Sequence, residues 1–201
     1  MLLKPEEVDE INHIYQPSGV RMPSVTDVLK ATGFIRNSNS DVVASEYYME
    51  RGRQAHKAIA LFQNGNLDWH SVDTRLTPYL DAWRLFVKES GIRITAMEEV
   101  RYSEDLRLAG RLDWLGELPS AGWVLGDTKT GPVMPWTGLQ LALYDLLGDE
   151  PYKVKRWGLE LTKDGKYKIK PFGDWCDYAT AQAAVKIYWW QVENCLREVG
   201  Q

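Results

Sequence analysis

The sequence predicts an α/β protein with a central mixed β-sheet flanked by helices, and three observations carry that reading. Helix-period segments come first, a block of period-two, β-rich segments fills residues 93–129, and a helix, a hairpin and a long helix follow. With 201 residues, 44% of them hydrophobic and 26% charged, the chain can fill one core. A single domain over residues 1–201 is therefore expected, its core spanning residues 24–198.

Each element has a local cause. Residues 33–41 (GFIRNSNSD) read as a polar, turn-rich connection. Asp41 suits the N-cap of a helix that runs to Asn64-Gly65, with Tyr48, Ala55, Ile59 and Phe62 on its apolar face. Thr77 as cap and Pro78 at the first helical position begin a second helix, in which Leu80, Trp83 and Val87 give the periodicity and Gly91 the stop. Three strands are expected at residues 93–102, 106–118 and 122–129. WTGLQLALYDLLGD returns to helical spacing, and YKVKRWGLELT and KYKIKPF form a hairpin around Lys163-Asp164-Gly165. Asp177 is the expected cap of a final helix through Val199.

Composition narrows the function. A net charge of -4 argues against a general polyanion binder, so contact with nucleic acid would have to be local. Cys176 and Cys195 are too few for a disulfide framework and lack the clustering of a zinc or iron–sulfur site; they are expected as buried or incidental thiols. No apolar run approaches the roughly 18 residues that cross a bilayer. The opening MLLKPEEVDE lacks the pattern of a secretory signal, so a cytoplasmic protein without membrane contact is expected.

The chemistry concentrates around Asp127-Thr128-Lys129. About two acid-x-Lys matches are expected by chance in this composition, and two occur. The other, Asp164-Gly165-Lys166, is explained by turn chemistry. In the alternating strand WVLGDTKT, Asp127 and Lys129 share one face and Thr128 points to the other. Antiparallel pairing with the preceding strand can bring Asp113 beside Asp127. Two such carboxylates repel, and a divalent cation stabilises both in the ionised form. Acids, cation and a neighbouring lysine suit phosphodiester hydrolysis, the lysine orienting the nucleophile or offsetting transition-state charge. The bland counterpart is a surface cross-strand ion pair.

The ordered segments SVTDVLKATGF, RGRQAHKAI, EVRY, AGRLDWLGEL, DTKTG and LQLALYDLL, followed by a DG hairpin, resemble the RecB-type and phage-exonuclease branch of the PD-(D/E)xK nuclease superfamily over residues 24–172. The resemblance implies a restriction-endonuclease-like core and a Mg²⁺- or Mn²⁺-dependent DNA exonuclease of phage or mobile-element recombination, repair or genome processing. It implies Asp113, Asp127 and Lys129 as catalytic residues, and His56, Asp113, Asp127 and the backbone carbonyl of Thr128 as metal ligands. Gly52 and His56 match its helical G-x-x-x-H, and Gln140 and Tyr144 its Q-x-x-x-Y, a helix that steadies the site. The four cysteines of its iron–sulfur members are missing, so no such cluster is assigned.

Residue-level physics adds to this. Gly52 inside a helix costs up to about 1 kcal/mol against alanine, which a close approach of another backbone or of nucleic acid would justify. An imidazole ligand tilts metal preference towards Mn²⁺. Glu99 is a secondary candidate on the strand before Asp113, sharing a face with Arg101, as are Gln140 and Tyr144. For nucleic-acid contact the nearby groups are Arg51, Arg53, Lys57 and Arg111, with Trp136 able to stack on an unpaired base. Lys153, Lys155 and Arg156 on the hairpin are further candidates. The rival readings are a structure-specific DNA endonuclease of the same fold and a non-catalytic nucleic-acid-binding protein. A homo-oligomer or a recombination partner protein is compatible with each.

Overall fold

The structure, a computed structural model, describes residues 8–9, 14–35, 42–149 and 151–200, with the backbone alone for residues 42–46. Expected features at residues 36–41, including the Asp41 cap, lie outside the described residues.

Two short strands, β1 (Val8–Asp9) and β2 (Ile14–Tyr15), pair antiparallel ahead of helix α1 (Val25–Ala31). This helix, which periodicity did not single out, is set by a capping box: Ser24 Oγ accepts from Asp27 N–H at 3.0 Å and Asp27 Oδ2 from Ser24 N–H at 2.9 Å. Helix α2 (Val42–Gln63) stops at Gly65, whose φ of 72° is left-handed. Its Ala55 and Ile59 are buried, whereas Tyr48, expected on the apolar face, is exposed. Helix α3 (Thr77–Ser90) begins one residue earlier than expected, with Leu76 rather than Thr77 at the cap, and Gly91 closes it in the left-handed region.

Strands β3 (Arg93–Ser103), β4 (Leu108–Leu118) and β5 (Gly122–Lys129) lead through helix α4 (Thr137–Leu146) into β6 (Lys155–Leu161), β7 (Tyr167–Phe172) and helix α5 (Cys176–Glu193). The five strands β3 to β7 form one mixed sheet in chain order, all neighbours antiparallel except the parallel pair β5–β6 that α4 connects. Trp175 stands at the N-cap of the last helix, and Asp174 just before it accepts the Cys176 N–H on Oδ1 at 2.8 Å. Asp177, expected in that role, instead meets Arg156 at 3.1 Å, and the helix ends at Glu193, short of Val199. Cys176 and Cys195 are exposed free thiols, not buried ones. Among the described residues no helix is long and apolar enough to cross a membrane.

Helices cover both sheet faces. On one, Val28, Leu29, Leu141, Leu143, Ala181 and Tyr188 pack against Leu108, Leu112 and Leu125. On the other, Ile59, Leu80, Trp83 and Phe86 pack against Trp114, Val124 and Leu159.

The pleat reverses where β3 and β4 face each other near their middles. Leu112 and Trp114, two residues apart, should share a face but pack into opposite cores. The register Met97↔Trp114 and Glu99↔Leu112 sets Glu98 opposite Asp113 at the reversal, and Glu98 has a φ of 51°. One residue on, the β4–β5 ladder also ends, its last pair being Trp114↔Gly126. Trp114 is fully buried, and its indole lies where a Cβ on Gly126 would come within 1.8 Å. Only glycine admits that ring. Gly126→Ala is expected to destabilise the fold by about 3 kcal/mol through overpacking, read as a lower urea midpoint; an unchanged midpoint would refute this account of the sheet centre.

Candidate active site

The site forms where the ladder stops. Past Trp114↔Gly126 the backbone of Thr128 has no partner on β4, and its N–H donates instead to Asp113 Oδ2 at 2.6 Å. This bond holds the Asp113 carboxylate against the end of β5. Thr128 turns its hydroxyl to the opposite side, where Oγ1 accepts from the Trp114 indole N–H at 3.1 Å. Asp127 and Lys129 share the other face: Lys129 Nζ donates to Asp127 Oδ1 at 2.9 Å and lies 2.6 Å from Oδ2.

Helix α2 supplies the imidazole. His56 Nε2 is 2.8 Å from the Thr128 carbonyl, and its Nδ1 lies 3.4 Å from Glu98 Oε1 and 3.6 Å from Asp113 Oδ2. A ligand atom from each of His56, Glu98 and Asp113 falls within one 4.8 Å group. Glu98 also meets Arg111 Nε at 3.0 Å. From α4, Gln140 Oε1 is 3.5 Å from Lys129 Nζ, and Gln140 donates to the Tyr144 hydroxyl at 3.1 Å. The Tyr144 ring lies on Gly110, where any Cβ would come within 2.8 Å of it, so this glycine allows α4 to close over the site. A cavity of about 250 Å³ opens beside the cluster, lined among others by Ser24, Lys30, His56, Glu98, Arg111 and Tyr144.

The electrostatics are those of crowded acids. Burial pushes Asp113 up, against the pull of His56 and Lys129. Burial, helped by the like charge of Asp113, lifts Asp127 to about 6 in spite of Lys129. For His56, burial disfavours the charged ring, but Asp113 and Glu98 outweigh it and raise the imidazole to about 9. The Lys129 ammonium is opposed by burial and held charged by Asp127 and Asp113, so its pKa is raised. Burial and the two aspartates drive the Tyr144 phenol well above its usual range.

These residues fit a divalent cation. Nε2–H donating to the Thr128 carbonyl is the arrangement that orients a metal-binding histidine, and it aims Nδ1 between two carboxylate oxygens. Without a cation, a proton on Nδ1 occupies that place. The Thr128 carbonyl, implied as a ligand by the family resemblance, is taken up by His56, leaving its second lone pair.

Other expected residues are placed differently. Glu99 pairs with Arg101 at 2.5 Å, and the glutamate in the cluster is Glu98, which strict alternation put on the wrong face. Its left-handed backbone leaves no local sequence signal beyond the Glu98-Glu99 pair itself. Arg51 donates to the Thr130 carbonyl at 2.8 Å and stacks over Tyr48 and Tyr79, tying α2 to the end of β5. Arg53 is an exposed partner of Glu50, and Lys57 is exposed. Arg111 is bound to Glu98 inside the cavity wall. Trp136 is half-buried, its ring 5.4 Å from Lys129 Nζ. Arg156 is buried, donating to the carbonyls of Gly138 and Asp174. A Cβ on Gly52 would meet nothing nearer than Thr130 Oγ1 at 3.8 Å, so no close approach within the protein requires that glycine.

No family model matches the chain, and no curated protein is similar to it in sequence. Among solved structures, an alkaline exonuclease from Laribacter hongkongensis is similar with a TM-score of 0.48 and 12% identity, over 86% of this chain and 88% of that one.

A cation bound here would compete with a proton. His56 is raised from 6.5 to about 9, so its stabilising contribution is complete below pH 6.5 and lost as pH rises through 9. Asp127 is raised from 3.8 to about 6, so its protonated form favours folding at low pH and that contribution is lost through pH 6. The metal-free protein should therefore lose Tm from about pH 5 to pH 9, while the gain in Tm from added Mn²⁺ grows over the same range. Thermal unfolding across that range checks this, and a Mn²⁺ effect that shrinks with pH would contradict it.

Proposed function

We propose that the chain is a divalent-metal-dependent nuclease that hydrolyses DNA phosphodiester bonds, with Asp113, Asp127 and Lys129 as its catalytic residues. The supporting observation is the convergence of His56, Glu98 and Asp113 beside the buried Asp127–Lys129 pair at the end of one strand ladder. His56, Glu98, Asp113 and Asp127, with the Thr128 carbonyl beside them, would hold Mg²⁺ or Mn²⁺. When bound, the cation supplies Lewis acidity towards a phosphoryl oxygen and the attacking water.

The remaining steps belong to side chains. Lys129, kept charged by its two aspartates, offsets the negative charge that grows on the phosphoryl group. Gln140 and Tyr144 fix the position of the Lys129 ammonium from α4. Lys30, on the cavity wall, offers positive charge to the departing or retained phosphate. The imidazole in the donor set favours Mn²⁺ over Mg²⁺. Attack from strand ends, and a setting in phage or mobile-element recombination or repair, rest on the ordered motifs shared with the phage-exonuclease branch.

Asp127→Asn and Lys129→Ala are each expected to lower cleavage of linear DNA by at least about a hundredfold with folding preserved. Closed-circular DNA should survive where the linear form is digested. Rapid loss of the circle would replace the exonuclease with an endonuclease, and intact single- and double-stranded DNA in Mn²⁺ would end the enzymatic reading.

Glu98→Gln should abolish the rise in Tm caused by Mn²⁺, whereas Glu99→Gln should keep it. The reverse pattern would return the ligand role to Glu99.

A further inference from the structure

The register of the sheet extends the site outward. Asp127 pairs with Gly158 and Gly158 with Lys170; Lys129 pairs with Glu160 and Glu160 with Lys168. Ladder partners share a face, so Lys168 and Lys170 stand in the two rows that carry Lys129 and Asp127. They are two strand spacings away, about 10 Å. That is about three base steps of a DNA strand, at roughly 3.4 Å each.

Three observations define the surface. Lys168 and Lys170 are exposed on β7, the outer strand of the sheet, in a chain of net charge -4. Lys170 Nζ donates to the carbonyl of Val133 at 3.3 Å, and Val133 packs over Gly158, so the lysine is tied to the loop that carries Trp136. Lys168 is held over its row by Glu160 at 3.2 Å, with 73% of the lysine side chain exposed. A surface pair of this kind is worth about 0–1 kcal/mol and is readily exchanged for phosphate. Pro171 lacks the N–H that an added strand would need, so this edge disfavours pairing with a peptide. An anionic backbone lying across it meets positive charge in both rows.

We propose that Lys168 and Lys170 grip the phosphates of the DNA strand a few nucleotides from the scissile bond, so that the strand leaves the active site over the 130–136 loop and across β7. The proposal rests on the nuclease reading and adds the path of the substrate. Arg51 and Arg111, two of the basic groups near the motifs, are committed to internal partners. The two lysines on β7 are reached only through the parallel β5–β6 pairing.

The test compares wild type with Lys168→Gln/Lys170→Gln and with Lys88→Gln/Lys186→Gln, an equal charge loss at exposed positions on α3 and α5. Each protein is titrated in EDTA against a labelled short duplex at several salt concentrations. Each is also assayed with Mn²⁺ on thymidine 5′-(p-nitrophenyl phosphate), an ester too small to reach β7. Losing two phosphate contacts should flatten the salt dependence by about 1.8 in log–log slope, so the wild-type advantage falls about tenfold between about 50 and about 200 mM salt. Ester hydrolysis should not change. Wild-type affinity and slope in the β7 variant, equal losses in the control variant, or no binding by wild type would each overturn the path. If wild type cleaves neither DNA nor ester but the β7 variant alone loses DNA affinity, the catalytic reading fails and the path stands.

Discussion

The bond from the Thr128 N–H to the Asp113 carboxylate is the constraint on which the site depends. A buried amide at the end of a broken ladder needs an acceptor, and a carboxylate one strand away provides a charge-assisted one. That arrangement fixes three things together. Asp113 is held near Asp127, the Thr128 carbonyl is left to orient His56, and the ladder is free to open just where α4 brings Gln140 and Tyr144. Had the β4–β5 pairing continued, Asp113 would be one more cross-strand residue.

How much of this was legible follows from how regular each segment is. Asp127 and Lys129 lie on a strand that alternates without interruption, so period two places them correctly. Glu98 and Asp113 lie at a reversal of the pleat created by pairing between strands, and no pattern within either strand reports it. The sequence therefore nominated Glu99. The partners of the basic residues are hidden for a related reason: Arg51 and Arg111 look available on their own helix or strand, but their acceptors, the Thr130 carbonyl and Glu98, come from elsewhere in the fold. The capping box of Ser24 and Asp27 is local in sequence, but the seven-residue helix it starts carries little periodicity to mark it.

Other buried polar groups hold the scaffold. Arg156, almost fully buried, binds the carbonyl at the start of α4 and that of Asp174 before α5, and lies over the Tyr178 ring. Tyr178 in turn donates to Asp145 at 2.5 Å near the other end of α4. This network positions α4, the helix that closes over Lys129, without touching the cluster of His56, Glu98 and Asp113.

The charges around the cluster have a consequence for what can be bound. Glu98, Asp113 and Asp127 face His56, Arg111 and Lys129, so the metal-free cluster is electrically balanced when all six are ionised. Replacing the imidazolium proton by a dication leaves it one unit positive. A phosphodiester carries one negative charge, whereas a terminal phosphate carries close to two at neutral pH. With a dication bound, an internal linkage would restore neutrality and a monoester end would overshoot it.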